Sequence, residues 1–416
     1  MVDVQTAKPD RTPPVATSVI DSGVHHTWTN QTELLSYMPR AWRAYLGTTN
    51  PVVPDSLYRN PEGDYLAAAR PPGDGQPGSD LTALVRDVLT GGVERAILAF
   101  DKGSLLPATV NHYLGLQATQ AANRWSIERW LSGQDERLYG LILVPNQLPD
   151  EAAKEIRRVG QHPRMAGVLM AGNGIGKPFG HPLYDPIYAA AADLDLPVVI
   201  QAGGDAVPDT LTDPTPGGLA LTFGEFASLV GCSLLTHIVS LVAQGVFEKF
   251  PNLKVLMVGG GPAWIPWAFW RADTTWKGLR REIPWVRRPP SEYFREHVRI
   301  GTHPLPRSQG AANLTRLLNA VDGIDDLLCF TSSYPHWNTD SVADAASLLP
   351  SQWHQKVFHD NAEQFFRWSA PTQKRSRRRS RVGILPGGAF QAAARNGQAD
   401  SVEYPGWTSN VPVDYD

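Results

Sequence analysis

Residues 138–171, LYGLILVPNQLPDEAAKEIRRVGQHPRMAGVLMA, decide the fold. Two short apolar runs, Leu138–Val144 and Met165–Ala171, are the length of buried strands. Between them, Asp150–Val159 repeats apolar residues at three- and four-residue spacing, as one face of a helix does. Asp150 and Glu151 place negative charge in the first turn, and Gly160 ends the helix. A strand, a helix and a second strand in so short a length imply parallel strands joined by a crossover.

The same alternation extends in both directions. Further strands are predicted at Val15–Gly23, Arg95–Phe100, Pro197–Ala202, Lys254–Gly259, Val298–His303 and Leu327–Ser333, making eight. Helical spacing recurs over Asn111–Leu131, Asp185–Leu194, Leu234–Phe250 and Ala311–Val321. Eight units in roughly 350 residues fit a closed (β/α)8 TIM-like barrel of the α/β class better than an open sheet. The barrel is assigned to 15–369, after an N-terminal extension at 1–14. Residues 27–91, with Pro-Pro-Gly at 71–73, read as an insertion after strand 1. Residues 370–416 form a tail, first basic, with six cations between Lys374 and Arg381, then Gly/Ala-rich.

Composition bounds the function. Of 416 residues, 42% are apolar and 19% charged, enough apolar surface to offset the entropy of folding. A balance of 38 basic against 41 acidic side chains argues against a nucleic-acid binder. Two cysteines, Cys232 and Cys329, make neither a disulfide framework nor a Cys-rich metal site. The opening MVDVQTAKPDRTPPVATS is polar and proline-broken, without a signal peptide's apolar core, and no run of 18 apolar residues follows. A cytoplasmic protein with no membrane partner is expected. The Gly259-Gly260-Gly261 run lacks the Lys-Ser/Thr of a phosphate loop and is read as a close backbone approach.

In such a barrel the chemistry lies at the C-terminal ends of the strands. Those ends carry Asp21-Ser22-Gly23-Val24-His25-His26, Gln201-Ala202-Gly203-Gly204-Asp205, Gly259-Gly260-Gly261, Thr302-His303-Pro304 and Thr331-Ser332-Ser333-Tyr334-Pro335-His336-Trp337. Small and polar residues gather there, facing a pocket.

These stretches, together with SLVAQGVFEKFPNLKVLMVGGGPAWIPWAFWRAD at 240–273 and WKGLRREIPWVRRPPSEYFREHVRIGTHPL at 276–305, resemble the amidohydrolase-2 family, related to aminocarboxymuconate semialdehyde decarboxylase. The resemblance runs from Val19 to Trp368 and implies a (β/α)8 barrel with one divalent metal and hydrolytic or decarboxylating chemistry. It also exposes departures. The middle ligand position of the family's opening motif is Gly23, and His25 alone is kept; the usual strand-5 histidine is Gln201, the strand-6 ligand is Gly259, and the motif aspartate near the end is Ser333. A divalent ion needs several converging anionic or imidazole donors. These replacements lead to the expectation of no metal ligands and no cofactor.

The expected function is then a metal-independent enzyme acting on a small organic acid, lactone or cyclic metabolite. His25 and His303 serve as acid–base groups with Asp21 beside them, because imidazole titrates near neutral pH. Relatives more often carry glutamine at the His303 position. Gln201 and Ser333 would hydrogen-bond a carbonyl or oxyanion. Space vacated at Gly23 and Gly259 would form a pocket lined by Trp28, Trp264, His336 and Trp337. Two other readings stand beside this one. The first is an inactive subunit partnering an intact amidohydrolase-like relative. The second is a metal-dependent hydrolase or decarboxylase using non-standard ligands such as His25, His26 and His303. The expected partners are a small-molecule substrate and a second copy or such a relative, as a homodimer or heteromer.

Overall fold

Eight parallel strands follow one another around a barrel in sequence order. They are β1 (Val19–His26), β2 (Val93–Phe100), β3 (Leu138–Leu143), β4 (Met165–Met170), β5 (Val198–Gln201), β6 (Val255–Val258), β7 (Val298–Gly301) and β8 (Leu328–Cys329). The computed structural model describes residues 18–368 apart from 47–53, 74, 134, 174, 204–211, 216 and 309. The extension at 1–14 and the tail at 370–416 lie outside the described residues.

The strands bury both faces, as parallel strands under a ring of helices must; all eight residues of β1 are buried. The crossover predicted from 138–171 is present, with its helix at Pro149–Val159 and Gly160 as the cap. The Leu234–Phe250 helix is interrupted. It runs as Cys232–Ala243 and Val246–Lys249, with Gly245 between them at φ 69°. Only glycine takes that left-handed backbone without strain, and a Cβ there would sit 2.7 Å from the Trp285 ring. Two further helices outside the periodicity reading, Ile265–Leu279 and Pro290–His297, each start with proline in the first turn.

β8 is shorter than the predicted Leu327–Ser333, because beyond Cys329 the backbone changes partners. The Ser22 N–H donates to Phe330 O at 2.9 Å, Ser333 N–H to Gly23 O at 2.8 Å and His25 N–H to Tyr334 O at 2.7 Å. These bonds close the barrel between its first and last strands. β1 carries a bulge, since Asp21 pairs with Ala96 and Val24 with Leu98. Such an extra residue changes which face the following side chains meet.

Over its described residues, the segment between β1 and β2 forms a roof. It carries helices Gln31–Ser36, Arg40–Leu46 and Leu81–Val88, the first capped by Asn30 and the last by Asp80. Tyr58 from this segment stacks on Phe226 of helix Phe223–Leu229, with centroids 4.4 Å apart and planes 9° from parallel.

Candidate functional site

The roof and the strand ends enclose a chamber of about 290 Å³. His25, Gln201, Gly259, His303, Ser333, His336 and Trp337 line it, as does Gly23. Four of the residues singled out in the sequence lie elsewhere or make no opening. Trp28 is buried against Trp125, with ring centroids 5.7 Å apart, away from the chamber lining. Trp264 is half-buried and also outside that lining. Asp21 is buried beneath it, where its Oδ1 accepts from the Gly23 N–H at 3.1 Å and the Ser332 N–H at 3.0 Å. Burial raises the Asp21 pKa against those hydrogen bonds. Its observed work is to tie β1 to the segment after β8.

The fourth is Gly23, where the expected vacated space is filled. A Cβ built on Gly23 would lie 3.0 Å from both Cβ and Cγ2 of Thr331. At Gly259 a Cβ has room, meeting Ala202 Cβ at 3.5 Å, but φ is 84°. Gly259 therefore answers to backbone conformation as well as to pocket size.

Three histidines meet at the mouth in different electrostatic settings. The His25 ring lies 4.5 Å from that of His336, centroid to centroid, and its Nδ1 is buried without a hydrogen-bond partner. Burial, helped by His336 and opposed by Asp101, pushes its pKa down to about 3, so the ring is neutral at pH 7. His303 Nδ1 faces Asp340 Oδ2 at 3.1 Å. Burial lowers His303 although Asp340 pulls the other way. Asp340 is itself fixed by Arg307 at 2.6 Å and the Leu305 N–H at 3.1 Å. His336 Nε2 faces Asp101 Oδ1 at 3.1 Å, and its Nδ1 lies 3.0 Å from Ser333 Oγ.

His26 is not available to a ligand. Its Nδ1 is 2.7 Å from Ala99 O and its Nε2 2.8 Å from Ser126 Oγ, inside a shell of Phe100, Trp125 and Trp130. Two more chamber residues carry unsatisfied atoms, since Ser22 Oγ and Gln201 Oε1 are buried without partners. Among the described residues, no group of three or more His, Cys, Asp or Glu side chains is placed to hold a metal ion. Asp205, at the end of β5, lies outside the described residues.

Sequence reasoning missed Asp101, Tyr65, Tyr58, Arg59 and Phe226, all on the chamber wall. Asp101 directly follows β2, so the rule applied to the other strand ends finds it there too. The other four have no such signal, because loops and the segment between β1 and β2 fold over the mouth from elsewhere in the chain.

The sequence profile of the family described as Amidohydrolase matches residues 98–368. Gamma-resorcylate decarboxylase of Polaromonas sp. is 24% identical over 292 residues, covering 66% of this chain and 84% of that protein. The barrel is similar to 5-carboxyvanillate decarboxylase of Sphingomonas paucimobilis, with TM-score 0.60, 21% identity, and 85% and 99% of the two chains covered. It is likewise similar to a dihydroxybenzoic acid decarboxylase of Polaromonas sp. JS666 with bound manganese and 2-nitroresorcinol, with TM-score 0.60, 19% identity, and 85% and 98% covered. These findings correct the expectation of a metal-independent catalyst relying on histidine acid–base chemistry. The relatives are decarboxylases, and one of them holds manganese.

Proposed function

This chain belongs to the amidohydrolase family, and from that membership we propose that it is a metal-dependent decarboxylase-type lyase acting on a small hydroxylated aromatic acid. The observation that carries the reading is the chamber itself. Three histidines and an aspartate stand at the barrel mouth beneath a wall of Tyr58, Tyr65, Phe223, Phe226 and Trp337. A flat ring suits that wall, and Lys102 on the same lining suits a carboxylate, whereas Arg59 is already paired with Asp55 and Asp64. The unpartnered Ser22 Oγ, His25 Nδ1 and Gln201 Oε1 are buried chamber atoms that a bound group would satisfy.

The described donors alone do not make a closed metal site. Binding, orientation and proton transfer fall to the chain's own side chains. Non-oxidative decarboxylation needs a proton delivered to the ring carbon as the carbon–carboxylate bond breaks and CO2 leaves. His303 is the proton donor in this proposal. Asp340 beside its Nδ1 stabilises the charged ring while the other nitrogen serves the substrate. Neutral His25 and Gln201 orient the acid by hydrogen bonds.

The test is turnover of 2,6-dihydroxybenzoate and 5-carboxyvanillate by the full chain, with manganese or zinc supplied and with metal stripped. Release of CO2 that depends on added metal supports the proposal. No release from either acid with either metal overturns it.

A further inference from the structure

One arrangement at the mouth has no chemical step in the proposed decarboxylation. Ser333 Oγ, His336 and Asp101 form a continuous line, 3.0 Å from hydroxyl to Nδ1 and 3.1 Å from Nε2 to carboxylate. Asp101 Oδ2 also accepts from the Tyr65 hydroxyl at 2.5 Å. Burial alone would raise Asp101, but the His336 and Tyr65 hydrogen bonds outweigh it and hold its pKa at about 2. An ionised carboxylate only accepts, so His336 Nε2 must carry the donated proton. In the neutral ring the lone pair is then on Nδ1, which faces the Ser333 hydroxyl. That is the tautomer a base needs to take a proton from a nucleophilic serine.

The backbone adds a second observation. Ser333 sits at φ 60°, the left-handed region that a non-glycine residue rarely occupies, in the sharp turn that follows β8. A serine in the left-handed region on a turn after a strand, on a pocket lining, shares that backbone feature with a nucleophile elbow, although no helix follows it directly here. Ser333, His336 and Asp101 all line the same chamber.

We propose that Ser333, His336 and Asp101 act as nucleophile, base and positioning carboxylate, giving this chain a second activity: hydrolysis of esters of aromatic acids through an acyl-Ser333 intermediate. Ser333 Oγ bonds to the ester carbonyl carbon as its proton passes to His336 Nδ1. The bond from that carbon to the alkoxy oxygen then breaks, and His336 returns the proton to the leaving oxygen, releasing the alcohol. Water adds to the acyl carbon while His336 takes one of its protons. Ser333 leaves and recovers that proton, and the aromatic acid departs. Gln201 also lines the chamber, and its carboxamide NH2 is the donor for the developing oxyanion. The aromatic wall selects the acyl group.

The test uses the full chain, 4-nitrophenyl benzoate as substrate and diisopropyl fluorophosphate as covalent probe. The expected result is saturable nitrophenolate release and a phosphoryl adduct mapped to Ser333 by peptide mass. Ser333→Gly keeps the left-handed backbone, and it is expected to lose the adduct and at least 100-fold of the release, with an unchanged thermal melt. Asp101→Asn is expected to slow labelling about 10²–10⁴-fold with an unchanged thermal melt, and Asp101→Glu to recover part of the rate. A purely structural role for Asp101 would lower the melt together with the rate. No adduct, an adduct on another residue, or release that persists in Ser333→Gly overturns the proposal. None of these readouts depends on decarboxylation, so the two functions stand or fall separately.

Discussion

Thr331 decides what position 23 can hold. Gly23→Ala would bring a Cβ within 3.0 Å of Thr331 Cβ and Cγ2. Crowding of that kind typically costs about 1–3 kcal/mol. The expected outcome is a lower urea midpoint, partly recovered by adding Thr331→Ser, which removes Cγ2 but keeps the hydroxyl that accepts from the His303 N–H at 3.0 Å. A Gly23→Ala protein as stable as its parent would count against this packing account. The sequence alone suggests an empty ligand position there, because the residue that fills it is far along the chain. His303 is legible as a strand-end imidazole, whereas Asp340, which fixes its ring, follows a turn beyond β8 and carries no local signal. His303→Ala is expected to lower kcat for the aromatic acid about 10²–10⁴-fold with little change in KM, the signature of a lost proton donor in steady-state kinetics.

Whole elements are easier to read than their ends. Apolar runs and helical spacing locate every strand of the barrel, since a strand buried on both faces writes its burial directly into composition. Boundaries fail where a tertiary partner intervenes, as at β8, whose following residues bond to β1, and at Gly245, which splits a helix beside Trp285. The covering of the mouth by the segment between β1 and β2 is not legible, because the stacked pair of Tyr58 and Phe226 joins segments with no common periodicity. An aromatic pair is worth about 0.5–1.5 kcal/mol beyond its buried area. Phe226→Ala is therefore expected to raise KM roughly 2–10-fold while kcat and the melting temperature hold, with faster amide exchange confined to the roof. Faster exchange throughout the barrel would show that the pair supports the core instead.

Across the molecule, buried neutral histidines set the acid limit of stability. His25 and His237 are held down to about 3 and His26 to about 4, chiefly by burial, against 6.5 for the exposed ring. The unfolded chain binds these protons first, so stability is full above about pH 6.5 and is lost as pH falls toward 4 and 3. Each ring contributes up to about 1.4 kcal/mol per pH unit across that window. Urea midpoints measured between pH 7.5 and 4.5 should fall steeply, and replacing His237 with Asn should make the slope shallower. The seam between first and last strands has a different consequence, which concerns time. Asp21 and Ser332, whose hydrogen bond helps close it, are separated by 311 residues. A ribosome must therefore finish nearly the whole barrel before the chamber has its final wall. Contacts of such long range form late, at the largest entropic cost. The chamber thus stays open on one side until synthesis is almost complete.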